Sequence, residues 1–314
     1  MLDFCILISS LFCSSALFLY NFHILKKEEI RMKIAISAES TIDLPKEQLE
    51  RFDIHTLPFT LNLGSKSVLD GEIRPEDLFK FTEETGQLPK TSAVNEFQYR
   101  EHFKKLKEEG YDAIIHFCLS SGISSAWSNA RKVKDEFENL YIIDTKSLST
   151  GIALLAIQAR KLADEGKKPE EIYAISSERV KNVQASFSLE SVNYLYKGGR
   201  CSMLARLGAN LLHLKPEIFV HTDTGKRSAG QKFRGSRRKV VRNYVEDTLK
   251  QFNHPDLSLC FITYSTAPDD VVEAVKKRLY ERGFKEVIPT HAGGTISCHC
   301  GPHCLGILYI NDGK

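Results

Sequence analysis

The signatures that announce a chemistry outright are missing from this 314-residue chain. It has neither GxGxxG nor GxxxxGK(S/T), so no glycine-rich loop of the dinucleotide or P-loop kind is present. It also lacks the Gly-x-Ser-x-Gly elbow of a serine hydrolase. There are eight cysteines, yet none stands in a CxxC pair of the kind that closes a zinc site. A surplus of either charge is lacking too. The 43 Lys and Arg against 40 Asp and Glu leave +3, too little by itself to argue for nucleic acid or a membrane surface. Repeats and low-complexity tracts are absent, which excludes solenoids and disordered tails. What is present, 42% hydrophobic and 26% charged residues, suits a globular protein large enough for two domains.

Cys118 and Cys260 fall in apolar runs, where cysteine behaves as a small hydrophobe, and an even cysteine count makes no disulfide framework in a chain this long. A cytoplasmic location is expected. Residues 4–25 contain no Asp, Glu, Lys or Arg and are long enough to span a bilayer. Read as an anchor, the segment would have its C-terminal side in the cytoplasm, beside Lys26 and Lys27. A signal peptide fits less well, because Asp3 and no positive charge precede the apolar run. On a third reading residues 1–31 are not translated: Met32 leads directly into a strand, and Lys27-Glu28-Glu29 can be encoded by a purine-rich run like a ribosome-binding site. A start at Met32 is the expectation.

From residue 33 to 165 strand and helix signals alternate. Strands are expected at 33–37, 54–59, 113–119 and 140–143, a hairpin at 61–69, and helices from 45, at 75–85, 96–109, 126–137 and 150–165. On helix 96–109 Phe97, Phe103 and Leu106 are read as the apolar stripe. The alternation implies βαβ units and a parallel, Rossmann-like sheet. Gly166-Lys167-Lys168-Pro169 is the expected domain boundary. Beyond it, strands at 184–189, 217–221, 226–234, 258–264, 286–289 and 305–310, with helices at 237–251 and 268–282, make a second α/β domain. The predicted fold is therefore α/β, with an N-terminal domain at 33–166 and a C-terminal domain at 167–314.

Two hydroxyl clusters stand out, Thr91-Ser92 and the run Ser120-Ser121-Gly122-Ile123-Ser124-Ser125, each placed where a strand or loop gives way to a helix. Ser124 or Ser125 is expected as the N-cap of helix 126–137. Helix N-termini beyond the carboxyl ends of parallel strands offer N–H groups to a small anion.

Six short motifs follow one another in order: Lys90-Thr91-Ser92, residues 119–124, Ile143-Asp144-Thr145-Lys146-Ser147, Lys197-Gly198-Gly199-Arg200, Phe233-Arg234-Gly235 and His299-Cys300-Gly301-Pro302. Together they resemble the DegV family of bacterial fatty-acid-binding proteins, from about residue 33 to the C-terminus. The resemblance implies one long-chain fatty acid, such as palmitate, buried between two domains, with no cofactor. In fatty acid kinase subunits of this type the bound carboxyl group is presented to a separate kinase, so the resemblance implies a non-catalytic carrier with transient membrane contact. By position, Thr91 and Ser124 match the carboxyl-binding residues, with Ser92 beside them and Ser121 and Arg200 in support. His299 matches a histidine that approaches the head from the second domain, where a carboxylate neighbour favours its doubly donating form. Residues 226–242 hold eight Lys and Arg. The resemblance makes Arg234, Arg237 and Arg238 a kinase-docking surface.

The chain departs from the family pattern in three places. His303-Cys304 stand where Gly-Ala commonly follows Gly-Pro, Glu39 replaces an Asp ahead of Ser40-Thr41, and Ala93-Val94 follow Ser92 in place of Gln-Pro. The first change creates a Cys298, His299, Cys300, His303, Cys304 cluster of types zinc accepts, although the expectation is no metal. Two other functions stay open on sequence alone: an acyl hydrolase using Ser124 or Ser92, and a nucleic-acid-binding regulator using the basic 226–242 segment.

Overall fold

The apolar runs at 113–119 and 34–37 become the two central strands of a parallel sheet, buried along their whole length as such strands must be when helices cover both faces. A computed structural model describes residues 32–199 and 215–313. In chain order its first half contains β1 (Ile34–Glu39), α1 (Lys46–Arg51), β2 (Ile54–Leu57), β3 (Thr60–Leu63), β4 (Lys66–Leu69), α2 (Pro75–Thr85) and β5 (Lys90–Ser92). It continues with α3 (Glu96–Glu108), β6 (Ala113–Cys118), α4 (Ala126–Lys132), β7 (Leu140–Asp144), α5 (Thr150–Asp164) and α6 (Pro169–Arg179). The second half has β8 (Val183–Ser188), α7 (Asn193–Lys197), β9 (Lys215–Val220), β10 (Arg227–Phe233), α8 (Arg237–Gln251) and β11 (Cys260–Tyr264). It ends with α9 (Asp269–Arg282), β12 (Val287–His291), α10 (Gly294–Cys300) and β13 (Leu305–Ile310).

Strands β2-β1-β6-β7 form the parallel sheet. α5 lies against β1 and β6, with Ala153, Ala156 and Ala159 among its buried residues. α3 covers the opposite face with Tyr99, Phe103 and Leu106. Phe97, expected in that stripe, is 65% exposed. The reason is angular: 99, 103 and 106 follow the i, i+4, i+7 spacing of one helix face, and 97 does not. The expected hairpin is β3–β4, and β5 adds a third antiparallel strand beside β3.

A second sheet runs β10-β9-β8-β13-β11-β12, antiparallel except between β11 and β12. Val240, Tyr244 and Val245 of α8 and Val275 and Leu279 of α9 pack on it around Cys260, Ile262 and Tyr309. Past residues 166–169 the chain continues into α6. α6 still rests on β6 and β7 of the first sheet, and the second begins at Val183. A charged Gly/Pro linker here joins two helices of one layer. The described residues from Ile34 onward make one compact unit. Among the described residues no helix is long and apolar enough to cross a membrane; the segment 1–31 lies outside them.

Candidate ligand-binding site

The β1 and β6 strands end in a buried polar cluster that sets the hydroxyl loop. Because side chains alternate along a strand, Ser37, Glu39, His116 and Cys118 share the face under α3. Tyr99 donates to Glu39 Oε1 (2.5 Å), the Leu119 N–H donates to Oε2 (2.8 Å), and His116 Nε2 lies 3.3 Å from Oε1. Ser37 Oγ bonds His116 Nδ1 (2.9 Å) and His102 Nε2 (2.7 Å). Burial alone would push the Glu39 carboxyl up, but the bonds and charge of His116, with Tyr99 and the Leu119 N–H, hold it below its ordinary value. Glu39, His116 and Cys118 are close enough together to ligate one ion, the one such group among the described residues. Glu39 and His116 are engaged with protein partners, so the cluster reads as a support for the turn at Leu119.

Beyond that turn, residues 120–125 reach across to the second sheet. Ser120 Oγ donates to the Gly225 carbonyl (2.8 Å), in the turn between β9 and β10. A Cβ on Gly122 would come within 2.5 Å of the Gly225 backbone, so glycine is required at this crossing. Lys146 Nζ donates to Ser121 Oγ (2.8 Å) and pairs with Asp144 (2.7 Å), which holds Ser121 in the loop scaffold. Ser125 stands at the N-cap of α4 with helical backbone angles and makes no capping bond; the Ser124 hydroxyl instead accepts from the Ala126 N–H (3.1 Å). α4 has only seven residues, so a long helix dipole does not supply the attraction for an anion.

The second wall is α10, which the sequence reading did not anticipate. Two carboxylates from the first half seize its start: Asp43 Oδ1 accepts from the Gly293 N–H (2.9 Å), and Asp70 Oδ1 from the Gly294 N–H (2.8 Å). Ser149 donates to Asp43 Oδ2 (2.5 Å) and Ser40 to Asp70 Oδ2 (2.8 Å). Burial pushes the Asp43 carboxyl well above its ordinary value, against the Ser149 and Gly293 bonds and with a further rise from Asp70. Asp43 and Ser149 both carry positive φ, 55° and 54°. Such strain in non-glycine residues gathers where geometry is functional. At the far end of α10, His299 Nε2 lies 2.9 Å from Thr91 Oγ1, with donor and acceptor set by the histidine tautomer. Gly198 packs against the ring, since a Cβ there would be 3.0 Å from Nδ1. That close approach accounts for the glycine after Lys197.

Between these walls lies a cavity of ≈ 310 Å³, at the lower end of the roughly 300–1,000 Å³ of small-molecule sites. Leu119, Ile123, Leu148, Phe187, Ile296 and Leu308 give it an apolar lining, and Thr91, Ser124 and His299 also line it. The other predicted residues lie elsewhere. Thr91 and Ser92 are within strand β5, so they face opposite ways, and Ser92 is exposed, accepting from Asn62 Nδ2 (3.0 Å). Ser121 does not line the cavity, and Arg200 lies outside the described residues.

The basic 226–242 segment does not present one face. Arg237 turns inward, its guanidinium donating to Ser188 Oγ (3.1 Å) and the Ser188 carbonyl (3.0 Å), with burial lowering its pKa. Arg238 pairs with Asp270, and Arg234 is exposed. Arg227 lines the cavity instead. The Cys/His cluster also diverges: Cys298 packs on Leu61 and Leu78, His299 meets Thr91, and His303 faces Thr266 (3.3 Å). Sequence reasoning missed Arg227 and Thr295. Thr295 lies one turn before His299 on α10 and puts a buried hydroxyl without a protein partner in the cavity wall. The i, i+4 spacing of Thr295 and His299 was visible, but only once a helix is known to be there.

The sequence profile of the family described as "Uncharacterised protein, DegV family" matches residues 33–312. The chain belongs to the DegV family. It is 30% identical to a DegV domain-containing protein of Clostridium acetobutylicum, across 88% of this chain and 98% of that one. It is 29% identical to a fatty acid-binding protein of Thermotoga maritima, across 88% and 96%. Among solved structures, a DegV family protein of Thermus thermophilus described as fatty acid binding superposes with a TM-score of 0.81 at 23% identity, covering 90% of this chain and 100% of that one. The described residues thus have the DegV fold.

Proposed function

We propose that this DegV protein binds one long-chain fatty acid, its carboxyl group among Thr91, Ser124 and His299 and its chain in the cavity, and presents that carboxyl group to a separate kinase for acyl phosphate formation. The observation that carries the reading is that those three residues, from distant parts of the chain, line one largely apolar cavity, with His299 bonded to Thr91. The fatty acid binding ascribed to relatives in Thermotoga maritima and Thermus thermophilus supports it.

The division of labour follows from the two environments. Each buried methylene contributes about 0.8 kcal/mol, so the chain supplies affinity. A desolvated carboxylate costs several kcal/mol unless donors meet it. Thr91 and Ser124 can donate to it, and Arg227 and Thr295 stand in the same lining. Hydroxyls can also accept, which suits a head that becomes an acyl phosphate. The protein is then a non-catalytic carrier that meets a membrane transiently to exchange its ligand. Arg234, Arg238, Lys239 and Arg242 are exposed and suit a kinase carrying a bound nucleotide. A hydrolase would need a base held by an acid beside the serine, whereas Asp43 and Asp70 are engaged by the start of α10.

Thr91→Ala and Ser124→Ala are expected to weaken the head-group interaction by about 1.5–3 kcal/mol each, lowering acyl phosphate formation by a partner kinase while a bound fatty acid is retained. His299→Ala should impair transfer more than binding. Acyl phosphate assays at limiting protein, paired with titration of a fluorescent fatty acid, measure both. Unchanged transfer in all three variants contradicts the assignment.

A further inference from the structure

The Gly301-Pro302-His303 turn after His299 carries a cysteine at each end, Cys300 closing α10 and Cys304 preceding β13. Both are buried and both line the cavity; Cys300 Sγ donates to the Gly301 carbonyl (3.6 Å), and the Cys304 thiol is near enough to act on its protonation. One residue ties the two ends together. Ser265 Oγ donates to the Gly301 carbonyl (2.6 Å) and accepts from the Cys304 N–H (3.1 Å), and the Ser265 N–H donates to the Cys304 carbonyl (3.1 Å). Gly301 and His303 both have left-handed φ, 73° and 58°, as a tight reversal requires. The other described cysteines stand apart: Cys118 in β6, Cys260 in β11 and Cys298 against Leu61 and Leu78.

We infer that Cys300 and Cys304 are a dithiol–disulfide couple in the cavity wall, oxidised by small hydroperoxides, and that its closure shifts the adjacent His299 and weakens binding of a carboxylate-headed ligand. The effect on affinity rests on the fatty-acid reading above; the couple itself does not. The thiolate of one cysteine attacks the O–O bond of a hydroperoxide R–OOH, giving a sulfenic acid and R–OH, and the second thiol then displaces water to form the S–S bond. Two thiols and one hydroperoxide become one disulfide, one alcohol and one water, with two electrons passing from sulfur to oxygen. The neighbouring Cys304 thiol, together with burial, pushes the Cys300 thiol well up, which suits Cys300 to the resolving step. Because the ring closed is short, the bond adds little chain-entropy stabilisation and is readily reduced, as a reversible control needs. Access is through the cavity, so oxidants larger than hydrogen peroxide react slowly.

The full-length protein, lipid-free, is treated with hydrogen peroxide, denatured in N-ethylmaleimide, digested, and mapped by fragmentation that separates Cys298 from Cys300. The expected result is loss of two hydrogens confined to Cys300 and Cys304 and restored by dithiothreitol. Titration of a fluorescent fatty acid before and after peroxide is expected to show Kd rising about fivefold or more, with no response to peroxide in Cys304→Ser. Both thiols alkylated after peroxide, or a disulfide that uses Cys298, overturns the couple without recourse to any variant. A mapped Cys300–Cys304 bond with unchanged Kd overturns its control of binding. Failure of the reduced protein to bind the fatty acid counts against the fatty-acid reading alone, since the mapping is independent of it.

Discussion

Gly225→Ala is expected to destabilise the protein by about 3 kcal/mol or more and to lower its lipid content with it. Gly225 has φ 68°, and a Cβ there would lie 2.0 Å from Ser120 Oγ. An alanine in this left-handed conformation carries about 1–2 kcal/mol of strain. Displacing Ser120 also breaks its buried bond to the Gly225 carbonyl, which costs a further 1–3 kcal/mol or so. The damage reaches the site because residues 120–125 carry Ser124 into the cavity wall. Urea denaturation of Gly225→Ala beside Lys226→Ala, an exposed neighbour expected to change stability by less than about 0.5 kcal/mol, measures the difference. A loss below about 1 kcal/mol would show that the two loops are not locked together.

Ala93→Trp should remove binding of long acyl chains while leaving the fold intact. Ala93 lines the cavity and is only partly buried, so an indole can enter the open volume without displacing core. The chain contributes on the order of 10 kcal/mol of gross burial for a sixteen-carbon ligand, and blocking even half of its path lowers affinity more than a hundredfold. Truncating a head-group hydroxyl costs far less. Calorimetric titration with palmitate, alongside thermal unfolding, separates the two kinds of loss. Retained affinity in Ala93→Trp would place the acyl chain elsewhere.

The contrast between these variants parallels what could be read from the sequence. The strands β1, β6 and β13 were legible because continuous apolar runs have few other uses, and α8 because its buried positions recur at helical spacing. Helix α10 was not legible. Its seven residues, GTISCHC, have little intrinsic helix preference, and it is held by Asp43 and Asp70, more than two hundred positions away. Thr91 and His299 were recognised from their motifs, but their contact spans 208 residues of separation. The opposite orientation of Ser92 follows from alternation, which becomes usable only when the three-residue, polar β5 is known to be a strand. The basic run at 226–242 looked like one patch because charge is visible in sequence and direction is not. The burial of Arg237 against Ser188 and the entry of Arg227 into the cavity depend on how β10 and α8 lie against β8 and the site.

The central claim, a buried fatty acid with its head at Thr91, Ser124 and His299, is tested most directly by the lipid the protein carries. Protein purified without detergent is extracted with organic solvent, and the extract is quantified by mass spectrometry beside an extract of Ala93→Trp. About one long-chain fatty acid per chain in the unaltered protein, and almost none in the variant, is the predicted result. Lipid-free extracts from a protein that also fails to take up added palmitate would contradict it.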